Sequence, residues 1–255
     1  MADYSIALQF TPGIKRVSLR DLYGHAELSV QDAGSGSALA LLDSLVIGRP
    51  LPDGHIPNAA EFAIADRDIL LAGIYAKTYG YRLDSTVDCV HCDLPFDLSF
   101  NLEDLVTHTI NSYSEVESTD GVFELADGIR FRLPTGEDEL AIAGLPLQKA
   151  SSKLLERCLV EGEPAVHDES IQVAMEAIAP IMQTDLLARC PECDEEQPVH
   201  FDMQSFLLNR LRQEQHLLMH EIHQLAKTYH WGYKEILDLP RSSRKKYASM
   251  IDAEA

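Results

Sequence analysis

The chain has 255 residues, 45% of them hydrophobic, enough to bury one sizeable core or two small ones in a globular fold. Lys and Arg number 21 against 41 Asp and Glu, and the formal charge of −20 opposes broad docking on nucleic-acid phosphates or anionic lipid. The start, Met1-Ala-Asp-Tyr-Ser-Ile-Ala-Leu8, lacks the basic-then-apolar order of a secretory signal, and the apolar stretch Ile69 to Ala76 is far shorter than the ~20 residues that span a bilayer, so a cytoplasmic location is expected.

Tyr4 to Phe10 and Ala26 to Val30 have the composition of short β segments, and Gly34-Ser-Gly36 ends them. Ser37 to Val46 follows as a candidate helix. Arg49-Pro-Leu-Pro-Asp-Gly-His-Ile-Pro57 is turn-rich, because proline and glycine stop regular structure. A boundary is therefore expected near residue 57, with residues 1–56 an N-terminal β arm and linker and residues 57–255 the core domain. Beyond it, Asp66 is the candidate cap of a helix carrying Ile69, Leu70, Ile74 and Tyr75 and closing at Gly80, where glycine tolerates a left-handed backbone.

A pattern of strand, knuckle, strand and helix then occurs twice, over 81–106 and 184–208. The first copy holds Cys89-Val-His-Cys92, then Phe100, Leu102 and Leu105; the second holds Cys190-Pro-Glu-Cys193, then Phe201, Met203 and Phe206. The interval from second cysteine to phenylalanine is the same in both. Phe96, Leu98 and Phe100 alternate with period two, as a strand does, and Asn101 and Asp202 stand where a helix cap is needed. Between the copies, residues 107–183 are expected to be a largely helical insertion, with a hairpin from Gly121 to Leu133 around Asp127-Gly128 and three helices over 137–180.

The last part, 203–251, is the clearest helical region. Leu211, Leu218, Ile222, Leu225 and Tyr229 make one apolar stripe along a helix of roughly seven turns that starts near Met203. His230-Trp-Gly232 interrupts it, a short turn covers Tyr233 to Leu237, and Pro240 opens a final helix carrying Arg241, Arg244, Lys245, Lys246, Tyr247 and Ile251. The fold class expected is α+β: a zinc-ribbon-like pair of β-hairpins with a helical insertion and a long C-terminal helix.

One C-x-x-C pair offers a metal two thiolates, whereas structural zinc takes a closed tetrahedral set of four. Cys89, Cys92, Cys190 and Cys193 supply that set if the two hairpins meet, and a structural Zn2+ is the expected cofactor. Reduced buried cysteines and two separate redox pairs are the alternatives. Asp93 and Asp194 follow the knuckles where glycine is usual, and Asp tolerates that backbone. His216, His220 and His223 with Glu221, followed by His230, form the other candidate cluster, yet His220-Glu-Ile-His223 has its histidines three apart where the zinc-protease helix needs four. A catalytic or metal role there lacks an acid/base partner or nucleophile to complete it. Cys158 reads as a core residue, and the basic spot from Arg241 to Lys246 as a solvated face or a docking site for an acidic partner. No phosphate-binding loop, dinucleotide fingerprint or nucleophile elbow occurs, so no enzyme activity, catalytic residue or small-molecule substrate is expected.

Several segments, taken in order, carry a resemblance. They are Ala65-Asp-Arg-Asp-Ile-Leu-Leu71, Tyr79-Gly-Tyr-Arg-Leu83 before the first knuckle, Cys190-Pro-Glu-Cys193 before Phe201-Asp202, His223 to Trp231, Glu235 to Arg241, and Arg244-Lys-Lys-Tyr247. Together, over about residues 57–251, the chain resembles the baseplate hub assembly chaperone family of T-even-type contractile phage tails and related contractile injection systems. The resemblance implies a non-enzymatic assembly factor in the host or producing cell, with baseplate or hub subunits as partners and neither nucleic acid nor membrane among them. It also implies relatives without the cysteines, which makes the zinc site a brace rather than a functional centre. A permanent structural place in the baseplate, with the protein present in the assembled particle, and a zinc-dependent hydrolase using His220 and His223 are the alternative functions.

Overall fold

A computed structural model describes residues 3–52, 54–111, 118–125, 128–162 and 164–254. Strands β1 (Tyr4–Ala7), β2 (Arg16–Leu19) and β3 (Val46–Ile47) form an antiparallel sheet in that order, with helices α1 (Gly24–Ser29) and α2 (Ser35–Leu45) between β2 and β3. The expected β segment over Ala26 to Val30 is thus corrected: it lies in α1 and its C-cap. The helix forms because its tertiary neighbours decide it. Gly24 lies so close to the later chain that a Cβ there would sit 3.0 Å from the Cα of Leu237, and Glu27 is buried against two arginines from the far end of the chain. Nor does the first stretch stand off as an arm, since Leu8, Val17, Leu19, Leu41 and Leu45 share one core with Leu70, Leu71, Ile74 and Leu83.

Helix α3 (Ile64–Tyr79) follows a single turn at Ala59–Glu61 and closes, as expected, at Gly80 with φ of 89°. Its N-cap is Ala63 rather than Asp66. The carboxylate of Asp66 points instead into the N-terminal loop, accepting from the backbone N–H of Gln9, Phe10 and Thr11 at 2.8, 2.9 and 2.6 Å and from the Thr11 hydroxyl at 2.7 Å. A side chain that accepts this many donors is satisfied in a buried place, which explains how it can be fully covered, although burial still pushes its carboxyl above the ordinary value.

Two hairpins follow the duplicated pattern: β4 (Arg82–Asp88) with β5 (Pro95–Asn101), and β9 (Gln183–Arg189) with β10 (Glu196–Asp202). Their pairing registers are identical at a constant offset of 101 residues. Each runs into a helix, α4 (Leu102–Asn111) and α8 (Met203–Tyr229), capped as expected: Asn101 accepts from the N–H of Glu103 at 2.8 Å, and Asp202 from that of Ser205 at 2.5 Å.

The insertion contains helices α5 (Gly136–Ile142), α6 (Leu147–Cys158) and α7 (Pro164–Ile178), matching the three anticipated. It also holds an antiparallel sheet of β6 (Val122–Glu124), β7 (Arg130–Arg132) and β8 (Leu159–Glu161), the last of which was not foreseen. Of the anticipated turn, Asp127 lies outside the described residues, and Gly128 has φ of 78°. A separate small core of Phe123, Phe131, Leu155, Ile171 and Ile178 fills this part. Buried Asp138 ties it together, accepting from Arg132 at 2.6 and 2.9 Å and from Arg157 at 2.8 Å, which holds its carboxyl well below the usual range despite burial.

Helix α8 packs on α1, α2 and α3 and carries α9 (Tyr233–Asp238) and α10 (Arg241–Glu254). Its anticipated stripe is buried at Leu211, Leu218, Ile222 and Leu225, and His230 ends it in a left-handed conformation with φ of 57°. The architecture is mixed α+β, with small antiparallel sheets and a long C-terminal helix. Among the described residues, no helix is long and apolar enough to cross a membrane.

Candidate metal centre

Each knuckle turns the chain through the same bonds. The N–H of Cys89 donates to Leu94 O at 3.0 Å and that of Asp93 to Cys89 O at 2.9 Å; the N–H of Cys190 donates to Glu195 O and that of Asp194 to Cys190 O, both at 2.9 Å. Closing this turn requires a left-handed residue after the second cysteine, and Asp93 and Asp194 adopt it with φ of 57° and 65°. Below the tips the inner faces of the hairpins meet through Val87, Phe96, Leu98, Ala188 and Val199.

This packing brings the four cysteines together. Cys89 Sγ lies 3.6 Å from Cys193 Sγ, Cys92 Sγ lies 3.8 Å from Cys190 Sγ, and all four sulfurs fall within 4.8 Å of one another. A disulfide would bring two sulfurs to about 2.05 Å; all four are free thiols. A dication about 2.3 Å from each of four tetrahedral sulfurs spaces them roughly 3.8 Å apart. The observed separations fit, so the four could hold a metal ion.

The electrostatics suit a cation as well. Burial works against the Cys89 thiolate, but the N–H groups of His91 and Cys92 and the thiols of Cys193 and Cys92 bring Cys89 down to about 6. The N–H of Leu94 favours the Cys92 thiolate, yet burial and three neighbouring sulfurs push Cys92 up to about 12, and Cys193 is raised too. Four sulfurs this close cannot all carry charge without an ion among them. With every tetrahedral position taken by protein, such an ion has no site for water or substrate, so it braces the fold rather than performing chemistry.

The histidines are placed differently. His216, His220 and His223 lie exposed on one face of α8, and His216 Nδ1 is 2.6 Å from Gln213 O. Glu221 turns the opposite way and accepts from Arg244 Nε at 2.6 Å. Among the described residues, these histidines belong to no group of three ligands that could hold a metal ion. Cys158 is fully buried, as expected, and burial pushes its thiol up to about 12.

The basic spot needs correction. Lys245 and Lys246 are exposed, but Arg241 and Arg244 are buried and form neither a solvated face nor an external docking site. They pair with Glu27, Glu214 and Glu221 of the same chain. Sequence inspection grouped Glu221 with the histidines and missed Glu27, Glu214 and Gln197, the last of which has as its only local signal a polar residue at an inward-facing strand position.

No protein-family model, no curated protein and no solved structure matches the chain.

Proposed function

We propose that this protein is a non-enzymatic assembly factor for the baseplate hub of a contractile tail or contractile injection system, braced by one structural zinc ion at Cys89, Cys92, Cys190 and Cys193. The ordered segments between Ala65 and Tyr247 support the assembly role, and sulfur spacing near that of a tetrahedral zinc–thiolate set supports the metal. The observation that carries a structural role for the metal is the closed thiolate set itself, which leaves a bound ion no open position.

The hairpin tips suit a protein client. Asp88, Asp93, Glu192, Asp194 and Glu195 are exposed there, around Val90 and Leu94 with 71% and 48% of their surfaces open. Exposed apolar residues among carboxylates complement an apolar surface with basic groups, and the carboxylates repel nucleic acid and anionic lipid. The client is a baseplate or hub subunit in the cytoplasm of the producing cell, shielded until its proper neighbour displaces the chaperone.

Quantitative mass spectrometry of purified particles, beside affinity pull-downs from cells assembling them, tests this function. A hub subunit in the pull-down with no copies in particles supports a transient factor. A fixed number of copies per particle makes the protein a permanent baseplate part, and unchanged hub assembly after deletion of its gene excludes the assembly role.

A further inference from the structure

The two knuckles share their backbone bonds but differ four residues after the last cysteine, where the first unit has Phe96 and the second Gln197. Gln197 is only 3% exposed. Its side chain crosses to the other hairpin: Oε1 accepts from the N–H of Val90 at 2.8 Å, and Nε2 donates to the carbonyl of Asp88 at 3.0 Å. Those two peptide groups flank Cys89.

The counterpart of Val90 in the second knuckle is Pro191. Proline has no N–H to satisfy, and its ring fixes φ near −65° without help. The first knuckle therefore carries a donor that needs a partner and a backbone that needs a restraint, whereas the second carries neither. Phe96, at the position equivalent to Gln197, packs in the apolar cluster that holds Cys89 and Cys190.

We propose that Gln197 is a positioning residue for the metal centre, tying the Cys89 knuckle to the opposite hairpin before an ion binds and doing for it what the proline ring does for the Cys190 knuckle. This role rests on the assignment of the four cysteines as metal ligands. With the amide in place, Cys89 and Cys92 already face Cys190 and Cys193, so binding need not order the pair of knuckles. Without it, the Val90 N–H and Asp88 carbonyl lose their partner next to a sulfur, and the knuckle can drift. Hydrogen-bond partners lying just outside the ligands typically change metal affinity by about 10- to 100-fold.

Co2+ is the probe, because tetrahedral cobalt bound by four thiolates has a distinctive visible and near-ultraviolet absorption. Titration of the reduced, metal-free full chain against a competing chelator should show Gln197→Leu binding about 10- to 100-fold more weakly, with the four-sulfur spectrum kept at saturation and the far-ultraviolet circular dichroism unchanged. Adding Val90→Pro to Gln197→Leu removes the orphan N–H and copies the second knuckle, and should restore about tenfold of the loss. A role in packing alone would gain nothing from that proline. Gln197→Glu keeps the acceptor for Val90 but loses the donor to Asp88; its affinity should fall between the two, and it supplies the comparison should Gln197→Leu fail to fold.

Wild-type affinity in Gln197→Leu, no recovery with Val90→Pro, or wild-type affinity in Gln197→Glu where that is the folded variant overturns the role of Gln197 and leaves the metal site standing. A wild-type chain that never develops the four-sulfur cobalt spectrum overturns the metal site itself, and Gln197's role with it.

Discussion

Arg244 in the last helix donates through Nη2 to Glu27 in the first helix at 2.5 Å, across 217 residues of sequence. The pair is the centre of a buried cluster: Arg241 donates to the other oxygen of Glu27 at 2.6 Å, Arg244 Nε to Glu221 at 2.6 Å, and Tyr79 to Glu214 at 2.8 Å. Arg241 also contacts Glu214. These contacts lock α10 and α8 onto α1, so the ends of the chain depend on one another for burial.

Removing one member of a buried ion pair leaves an uncompensated charge and costs about 3–5 kcal/mol. Arg244→Ala should lower unfolding free energy by that amount in urea titrations, whereas Lys245→Ala, on the exposed side of the same helix, should stay within about 0.5 kcal/mol. A loss below about 1 kcal/mol for Arg244→Ala would show that the cluster is not buried in solution.

Elemental analysis should find one zinc per chain, lost in Cys89→Ser and in Cys190→Ser. Free zinc a thousand-fold above Kd stabilises a folded site by about 4 kcal/mol, or roughly 8–16 °C in Tm for a chain of this size. Chelation should therefore lower Tm by about that much. Equal melting curves with and without chelator would refute the brace.

Asp68 gives a pH signature. Burial, only partly offset by Arg67 and by the N–H of Met182, pushes its carboxyl up from 3.8 to about 6. A raised folded value means that the native state holds the proton longer than the unfolded chain does, so stability is greatest below pH 4 for this group and is lost as pH rises towards 6. The loss is on the order of 3 kcal/mol. Asp68→Asn cannot ionise, and its stability relative to wild type should rise by about that much between pH 4 and pH 7. A difference that stays flat across this range would mean that Asp68 ionises normally.

On α8, neighbours in sequence should behave oppositely. His220→Ala and His223→Ala remove exposed side chains and should leave metal content unchanged and stability within about 0.5 kcal/mol. Glu221→Ala strips a buried partner from Arg244 and should cost about 3 kcal/mol. Loss of zinc in either histidine variant would revive a second metal site.

The features legible in the chain are those whose cause is local. Cysteine spacing, the left-handed Asp93 and Asp194, the caps at Asn101 and Asp202 and the buried stripe of α8 each follow from a few adjacent residues and a fixed backbone period. The duplicated pattern also made the clustering of Cys89, Cys92, Cys190 and Cys193 legible, because two half-sites with one spacing imply a shared whole. Tertiary structure alone decided that Ala26 to Val30 is helical up to its C-cap, that Asp66 holds the N-terminal loop, that β8 completes the insertion's sheet, and that Arg241 and Arg244 face inward. Each of these depends on a partner supplied by a distant segment. A buried charge or amide such as Glu27, Asp66 or Gln197 looks like any polar residue until the fold brings its partner within hydrogen-bond reach, because the cost of burying it is offset only by contacts that sequence spacing does not encode.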